Sequence, residues 1–188
     1  MIFDNVSNLR QYLSKRHNEC PIYMTSGGFD PMHIGHVRCI QGTSKLALDS
    51  RRHPKLLNGL VVVVVNADSF LERKKGFAFM PLAERMEIIA ALKGVDFVVP
   101  WETDDDQTVC EALEILRPEY FTKGGDRTDF TNIPEWEVCK KIGCKIIANV
   151  GGEKIQSSSE LISKATDLEA QEVLGYAMGF SDGVDHGK

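Results

Sequence analysis

Five consecutive valines, Val61 to Val65, stand in this 188-residue chain with no polar residue between them. β-Branched side chains favour an extended, pleated backbone, and the missing alternation means that both faces of the strand must be covered. Such a strand belongs inside a parallel sheet, between two layers of helices. Comparable apolar blocks recur at 21–26, 59–66, 95–99, 119–123 and 144–150. The intervening segments have helical spacing. Helices are expected over 36–48, over 81–92 with Pro81 at its start, over 106–116, over 133–142 with Pro134 in the first turn, and over 157–165. This alternation predicts an α/β fold, a doubly wound parallel sheet with helices on both faces.

One domain over 21–167 accommodates these elements. Residues 1–20 are expected to form an N-terminal helical extension, with Val6, Leu9 and Leu13 at helical spacing, and 168–188 a C-terminal tail. The net charge of -5 argues against capture of nucleic acid or of an anionic membrane surface. The longest apolar run, Leu60 to Val65, is too short to span a bilayer. Five cysteines without a Cys-x-x-Cys pair fit reduced thiols in a cytoplasmic setting and give no reason to expect a zinc site.

A Rossmann-like sheet binds ligands beyond the carboxyl ends of its strands, so the segments that leave the strands carry the chemistry. The first is Ser26-Gly27-Gly28-Phe29-Asp30-Pro31-Met32-His33-Ile34-Gly35-His36. Gly27 and Gly28 permit close approach of backbone to a ligand, and a helix that starts near Gly35 aims N–H groups at an anion. His33 and His36 can donate to the same anion; a tight turn with packed histidines is the alternative. Arg73-Lys74-Lys75-Gly76 reads as a cationic, solvated loop unless phosphate meets it. Lys45, nine residues past His36, either reaches a phosphate or is solvated. Arg85 lies in the first turns of its helix, where a cation opposes the dipole, so it needs a bound anion or an acidic partner such as Glu84. Lys123-Gly124-Gly125-Asp126 places a cation, a flexible turn and a carboxylate after the fourth strand. Ser157, Ser158 and Ser159 offer hydroxyls to a phosphate, or an ordinary helix cap.

Taken in order, His33-Ile34-Gly35-His36, Arg73 to Gly76, Met80-Pro81-Leu82-Ala83-Glu84-Arg85, Gly94-Val95-Asp96, Lys123 to Asp126 and the three serines resemble the nucleotidyltransferases with a His-x-Gly-His signature, cytidylyltransferases and adenylyltransferases among them. The resemblance spans residues 21 to 165. It implies His33, His36, Lys75 and Lys123 as catalytic residues. It implies Gly27, Gly28, Phe29, Asp30, Lys45, Arg85, Gly124, Gly125, Asp126, Ser157, Ser158 and Ser159 as nucleotide-binding residues. The implied reaction joins a nucleoside triphosphate to a phosphorylated small-molecule acceptor and releases pyrophosphate, with Mg2+ accompanying the triphosphate. The acceptor phosphate, whose second pKa is about 6, is already a nucleophile at neutral pH and needs no strong base. Asp30 and Asp126 are candidates to orient groups or to touch a metal through water. A homodimer is the assembly that the resemblance implies.

Lys-Gly-Gly-Asp, the Lys-Gly before the Pro-x-x-x-Arg helix, and Leu116-x-Pro118 resemble the heptose 1-phosphate adenylyltransferases. Glycerol-3-phosphate cytidylyltransferases are also similar, but end in Arg-Thr-Glu-Gly-Ile-Ser-Thr-Thr where this chain has Gly152-Glu153-Lys154-Ile155-Gln156-Ser157-Ser158-Ser159. The expectation is therefore a sugar 1-phosphate adenylyltransferase, with a polyol phosphate cytidylyltransferase second. A nucleotide-sensing module without turnover is the alternative of another class. Trp101 to Gln107, with Asp104, Asp105 and Asp106, is placed either near the acceptor or at an acidic helix start.

Overall fold

In a computed structural model, which describes residues 1–17, 19–49, 58–103, 108–125 and 133–167, the chain runs α1 (Val6–Arg16), β1 (Ile22–Gly27), α2 (Ile34–Asp49), β2 (Leu60–Asn66), α3 (Asp68–Lys75), α4 (Leu82–Ala90), β3 (Phe97–Trp101), α5 (Cys110–Leu116), β4 (Tyr120–Thr122), α6 (Pro134–Ile142) and β5 (Lys145–Ile147). Residues 158–167 are again helical. The five strands are all parallel, in the order β3-β2-β1-β4-β5. This is the expected Rossmann-like arrangement.

The valine run is the middle of β2, hydrogen-bonded to β1 on one side and β3 on the other. Val62 and Val64 enter one core with α1, α5 and α6, while Val61, Val63 and Val65 enter the other with residues of α2 and α4. Each valine therefore meets a helical layer, which is why no polar residue interrupts the run. Leaving any one of them exposed would forfeit roughly 1.5 kcal/mol or more of burial.

Residues 1–16 belong to the first of these cores. Val6, Leu9 and Leu13 of α1 are buried there, and residues 1–3 lie along β3, with Phe3 N donating to Val98 O at 2.9 Å and Val98 N to Met1 O at 2.9 Å. The expected tail, 168–188, lies outside the described residues. Among those described, no helix is long and apolar enough to cross a membrane.

Three local expectations are corrected. Arg73, Lys74 and Lys75 are not a loop but the last turn of α3, where their charge complements the negative end of the helix dipole, and Gly76, at φ 90°, ends that helix in the left-handed conformation. The strand expected over 144–150 stops at Ile147, because Asn149, Gly151 and Gly152 adopt φ of 52°, 93° and 87° and turn the chain. Pro81 precedes rather than opens its helix, which begins at Leu82. Pro134 does occupy a first helical turn.

Strand order reverses direction at β1, with β2 and β3 on one side and β4 and β5 on the other. The crevice beyond the carboxyl ends of β1 and β4 is thus the place such a sheet offers to a ligand. Because α1 fills the same core as the sheet, Leu9→Ala is expected to cost about 2–5 kcal/mol in urea unfolding followed by circular dichroism, with a single transition retained. A separate early transition for α1, or a loss below about 1 kcal/mol, would show that the helix is merely appended.

Candidate active site

The walls of that crevice are set by a buried cation. Arg85 of α4 is fully buried, and its side chain reaches four separate segments. Nη1 donates to Gly28 O and to Asn66 O, each at 2.7 Å, and Nε donates to Met80 O at 2.9 Å. Nη2 forms an ion pair with Asp68 at the start of α3. The acidic partner is therefore Asp68 and not the neighbouring Glu84. A guanidinium has five N–H groups and cannot lose its proton, so its burial requires this set of oxygens. Arg85 stands behind the cleft, outside its lining.

Asp30 is the second brace. Its buried carboxylate accepts from Lys75 Nζ at 2.8 Å and from the backbone N–H groups of Phe79 and Met80, each at 2.7 Å. Burial alone would push its pKa up; the lysine and the two amides outweigh that, and the net shift is downward. Lys75 Nζ also donates to Asp30 O at 2.7 Å. Lys75 lines the cleft, yet to hold a phosphate it must exchange these oxygens for those of the ligand.

Phe29, at φ 53°, turns the chain out of β1, and its ring meets His36 edge-on with centroids 5.1 Å apart. The His33 and His36 rings stack at 3.8 Å. His33 Nδ1 accepts from Gly35 N at 3.1 Å, and His36 Nδ1 accepts from His33 N at 3.3 Å. With both Nδ1 atoms acting as acceptors, the neutral tautomers carry their hydrogens on Nε2. Burial, reinforced by the adjacent His33, pushes the His36 pKa down to about 4. Burial also lowers that of His33, against the opposing pull of Glu160. The pair therefore presents two neutral N–H donors at neutral pH.

Lys123 leaves the end of β4 with Nζ 4.6 Å from the centroid of the Phe121 ring and 3.3 Å from Glu135 Oε1. Beside it, the turn at 149–152 presses on α2 so closely that a Cβ at Gly151 would come within 2.6 Å of Cys39 N. Below, the hydroxyls of Thr43 and Thr122 lie 2.7 Å apart and tie α2 to β4. Ser157 and Glu160 cap the last helix reciprocally, Ser157 N donating to Glu160 Oε2 at 3.1 Å and Glu160 N to Ser157 Oγ at 3.3 Å. Ser158 Oγ donates to Pro31 O at 2.9 Å and so fastens that helix to the histidine loop.

These segments enclose a cleft of about 540 Å³, a size suited to a small-molecule ligand. Every residue expected in the site lines it except three. Arg85 braces it from behind, Lys45 is exposed on α2 away from it, and Asp126 lies outside the described residues. Sequence reasoning did not anticipate Glu135, Asn66 or Cys39 in the lining. Glu135 reads in sequence as an ordinary acid in a first helical turn. Asn66 is the last residue of β2, a position that the carboxyl-end rule for such sheets could have singled out. The Cys39 thiol is held above its usual pKa by burial, despite Thr25, Lys123 and Thr43 nearby, and is unsuited to act as a nucleophile.

The sequence model of the cytidylyltransferase-like family matches residues 24–163. The bifunctional protein HldE of Hahella chejuensis is 33% identical over 137 residues, which are 72% of this chain and 25% of that protein. HldE of Geotalea uraniireducens is 35% identical over 134 residues, 70% of this chain and 22% of that protein. The chain thus spans about a quarter of the length of these relatives. A lipopolysaccharide core biosynthesis protein from Thermoplasma volcanium shares the fold, with a TM-score of 0.52 at 24% identity over 68% of this chain and 94% of that one.

Replacing Arg85 with Leu leaves three carbonyls, at Gly28, Asn66 and Met80, without their donor and is expected to cost about 3 kcal/mol or more in denaturant unfolding. A loss under about 1 kcal/mol would mean that the guanidinium is not what holds these segments. A second expectation concerns pH. The unfolded chain takes up the His36 proton near pH 6.5 and the folded chain only near 4, so acidification through this window favours unfolding. Asp30 has a dependence of the same sign in a lower window, contributing stability above its ordinary value of 3.8 and losing it only below that. The thermal midpoint should therefore fall between about pH 6.5 and about pH 4.5, and fall less in His36→Gln. Equal slopes in the two proteins would refute the assignment.

Proposed function

The chain belongs to the cytidylyltransferase-like family and is a nucleotidyltransferase; from that premise we propose that it joins ATP to a sugar 1-phosphate and releases pyrophosphate. The observation that carries this reading is the pairing of two neutral histidine donors with lysines on either side, Lys75 and Lys123, in one cleft at the reversal of strand order. The acceptor phosphate attacks the α-phosphorus. A new P–O bond forms, the bond to the β-phosphate bridging oxygen breaks, and its electron pair leaves with pyrophosphate. No proton must be removed from a dianionic phosphate, so the protein needs to supply position and positive potential rather than a base.

His33 and His36 donate through Nε2 to oxygens on which negative charge grows, and a neighbouring anion favours their charged forms as the ligand arrives. Lys123 and Lys75 offer cations in exchange for the carboxylates that hold them now. Mg2+ belongs to the reading as the companion of the triphosphate. Of the described carboxylates in the lining, Asp30 and Glu135 are engaged by the two lysines and Glu153 is exposed; the ion would supply charge neutralisation at the triphosphate, and no step is assigned to it. The sugar phosphate is supported by the similarity to HldE and by Lys-Gly-Gly-Asp after β4. A second reading, CTP with a polyol phosphate, is favoured by the family match and by Lys154, a further cation in the lining. A homodimer in the cytoplasm completes the proposal on resemblance alone.

Pyrophosphate release, measured with Mg2+, each of ATP, CTP, GTP and UTP, and a panel of sugar 1-phosphates and polyol phosphates, tests the proposal. The expected result is turnover with ATP and a sugar 1-phosphate. Release only with CTP and a polyol phosphate moves the conclusion to the second reading, and none with any pair leaves a nucleotide-sensing module. His36→Ala is expected to lower turnover by about 10² or more with the fold intact, because it removes a donor to the transition state. Unchanged turnover in that variant would remove His36 from the mechanism.

A further inference from the structure

The cleft has two arms on either side of the histidines. Lys123, Gly124 and Gly125 follow β4 on one side. On the other, beyond β2, the lining contains Asn66, Phe70, Lys74 and Val109. This second arm holds a polar group without a match. Asn66 is more than nine-tenths buried, and its Oδ1 has no hydrogen-bond partner among the described residues. Its backbone has no freedom to carry the side chain elsewhere: Asn66 O accepts from Arg85 Nη1 at 2.7 Å, and the residue is in register with Trp101 of β3. A buried amide oxygen left unpaired is destabilising, and a half-turn of the terminal amide brings this one from its enclosed position to the cleft, where a ligand hydrogen can meet it.

The chemistry of that hydrogen is restricted. A phosphate dianion has no proton to donate, so the match for Asn66 is not the reacting phosphate but a hydroxyl on the body that carries it. The terminal amide torsion is two-fold and soft, so either end of the amide can face the cleft. With Oδ1 turned toward the cleft it accepts from one ligand hydroxyl. We propose that Asn66 is the residue that reads a hydroxyl group of the acceptor, which makes the second arm selective for polyhydroxylated phosphates over phosphates of bare alkyl chains or rings. The inference rests on the transferase reading for its meaning, since it is that reaction that requires an acceptor opposite the nucleotide.

Isothermal titration of the full chain with α-mannose 1-phosphate and with cyclohexyl phosphate, which keeps the ring and the phosphate but lacks the hydroxyls, separates the two ideas. The wild type is expected to bind the sugar phosphate at least about tenfold more tightly, one good hydrogen bond's worth. In Asn66→Leu, close in volume and without the amide, the ratio should fall to within about twofold while cyclohexyl phosphate binds as before. Asn66→Ala, read in parallel, carries the test if the leucine variant does not fold. A preference that persists in the folded variant, or no preference in the wild type, with failure of both probes to bind counted as none, overturns the role of Asn66. Pyrophosphate release is measured alongside. Turnover by the wild type with a preference indifferent to Asn66 defeats this inference alone. An Asn66-dependent preference without turnover for any nucleotide defeats the transferase reading and leaves the hydroxyl site standing.

Discussion

A guanidinium can be buried only where oxygens surround it, and Arg85 makes that requirement into the frame of the cleft. The oxygens it gathers belong to the loop after β1, the end of β2, the start of α3 and the segment before α4. The end of β2 and the start of α3 follow one another directly, while the loop after β1 and the segment before α4 lie well apart from them in sequence. Their mutual placement follows from one planar group with fixed donor directions, so the positions of Gly28 and Asn66 in the lining are consequences of Arg85, which never enters the lining itself.

The free cleft is electrostatically satisfied before any ligand arrives. Asp30 holds Lys75, Glu135 holds Lys123, and the two histidines are kept neutral by burial, His36 also by the adjacent His33. This arrangement avoids burying uncompensated charge, and it leaves both lysines with partners that an anionic ligand could exchange. A multiply charged ligand can replace a carboxylate at a lysine more readily than a neutral one can.

Much of this was legible in the chain. The unbroken valines required a doubly covered strand, and the glycines and histidines after β1 marked the ligand edge. What escaped were features whose meaning depends on partners far away in sequence. Arg73 to Lys75 look like a solvated run until the preceding residues of α3 and the dipole they generate are taken into account. Arg85 was read as needing an anion, correctly in kind, but Asp68 lies 17 residues away and across a loop. Glu135 and Asn66 have no local pattern at all. Their roles arise from the sheet order that brings the ends of β2 and β4 to opposite sides of β1.

The contact between α2 and the 149–152 turn has a consequence for how such a fold can diversify. No methyl fits between Gly151 and the α2 backbone, so that turn and the helix behave as one casting, and insertions there would pry the casting apart. The segment between α3 and α4 is different: it is fastened by Asp30 and Arg85 through polar bonds, and Phe77 and Phe79 project from it into solvent. Length and composition can drift on that side as long as the two anchors keep their oxygens. The two sides of the cleft are thus held by different means, close packing beside β4 and a few polar bonds beside β2.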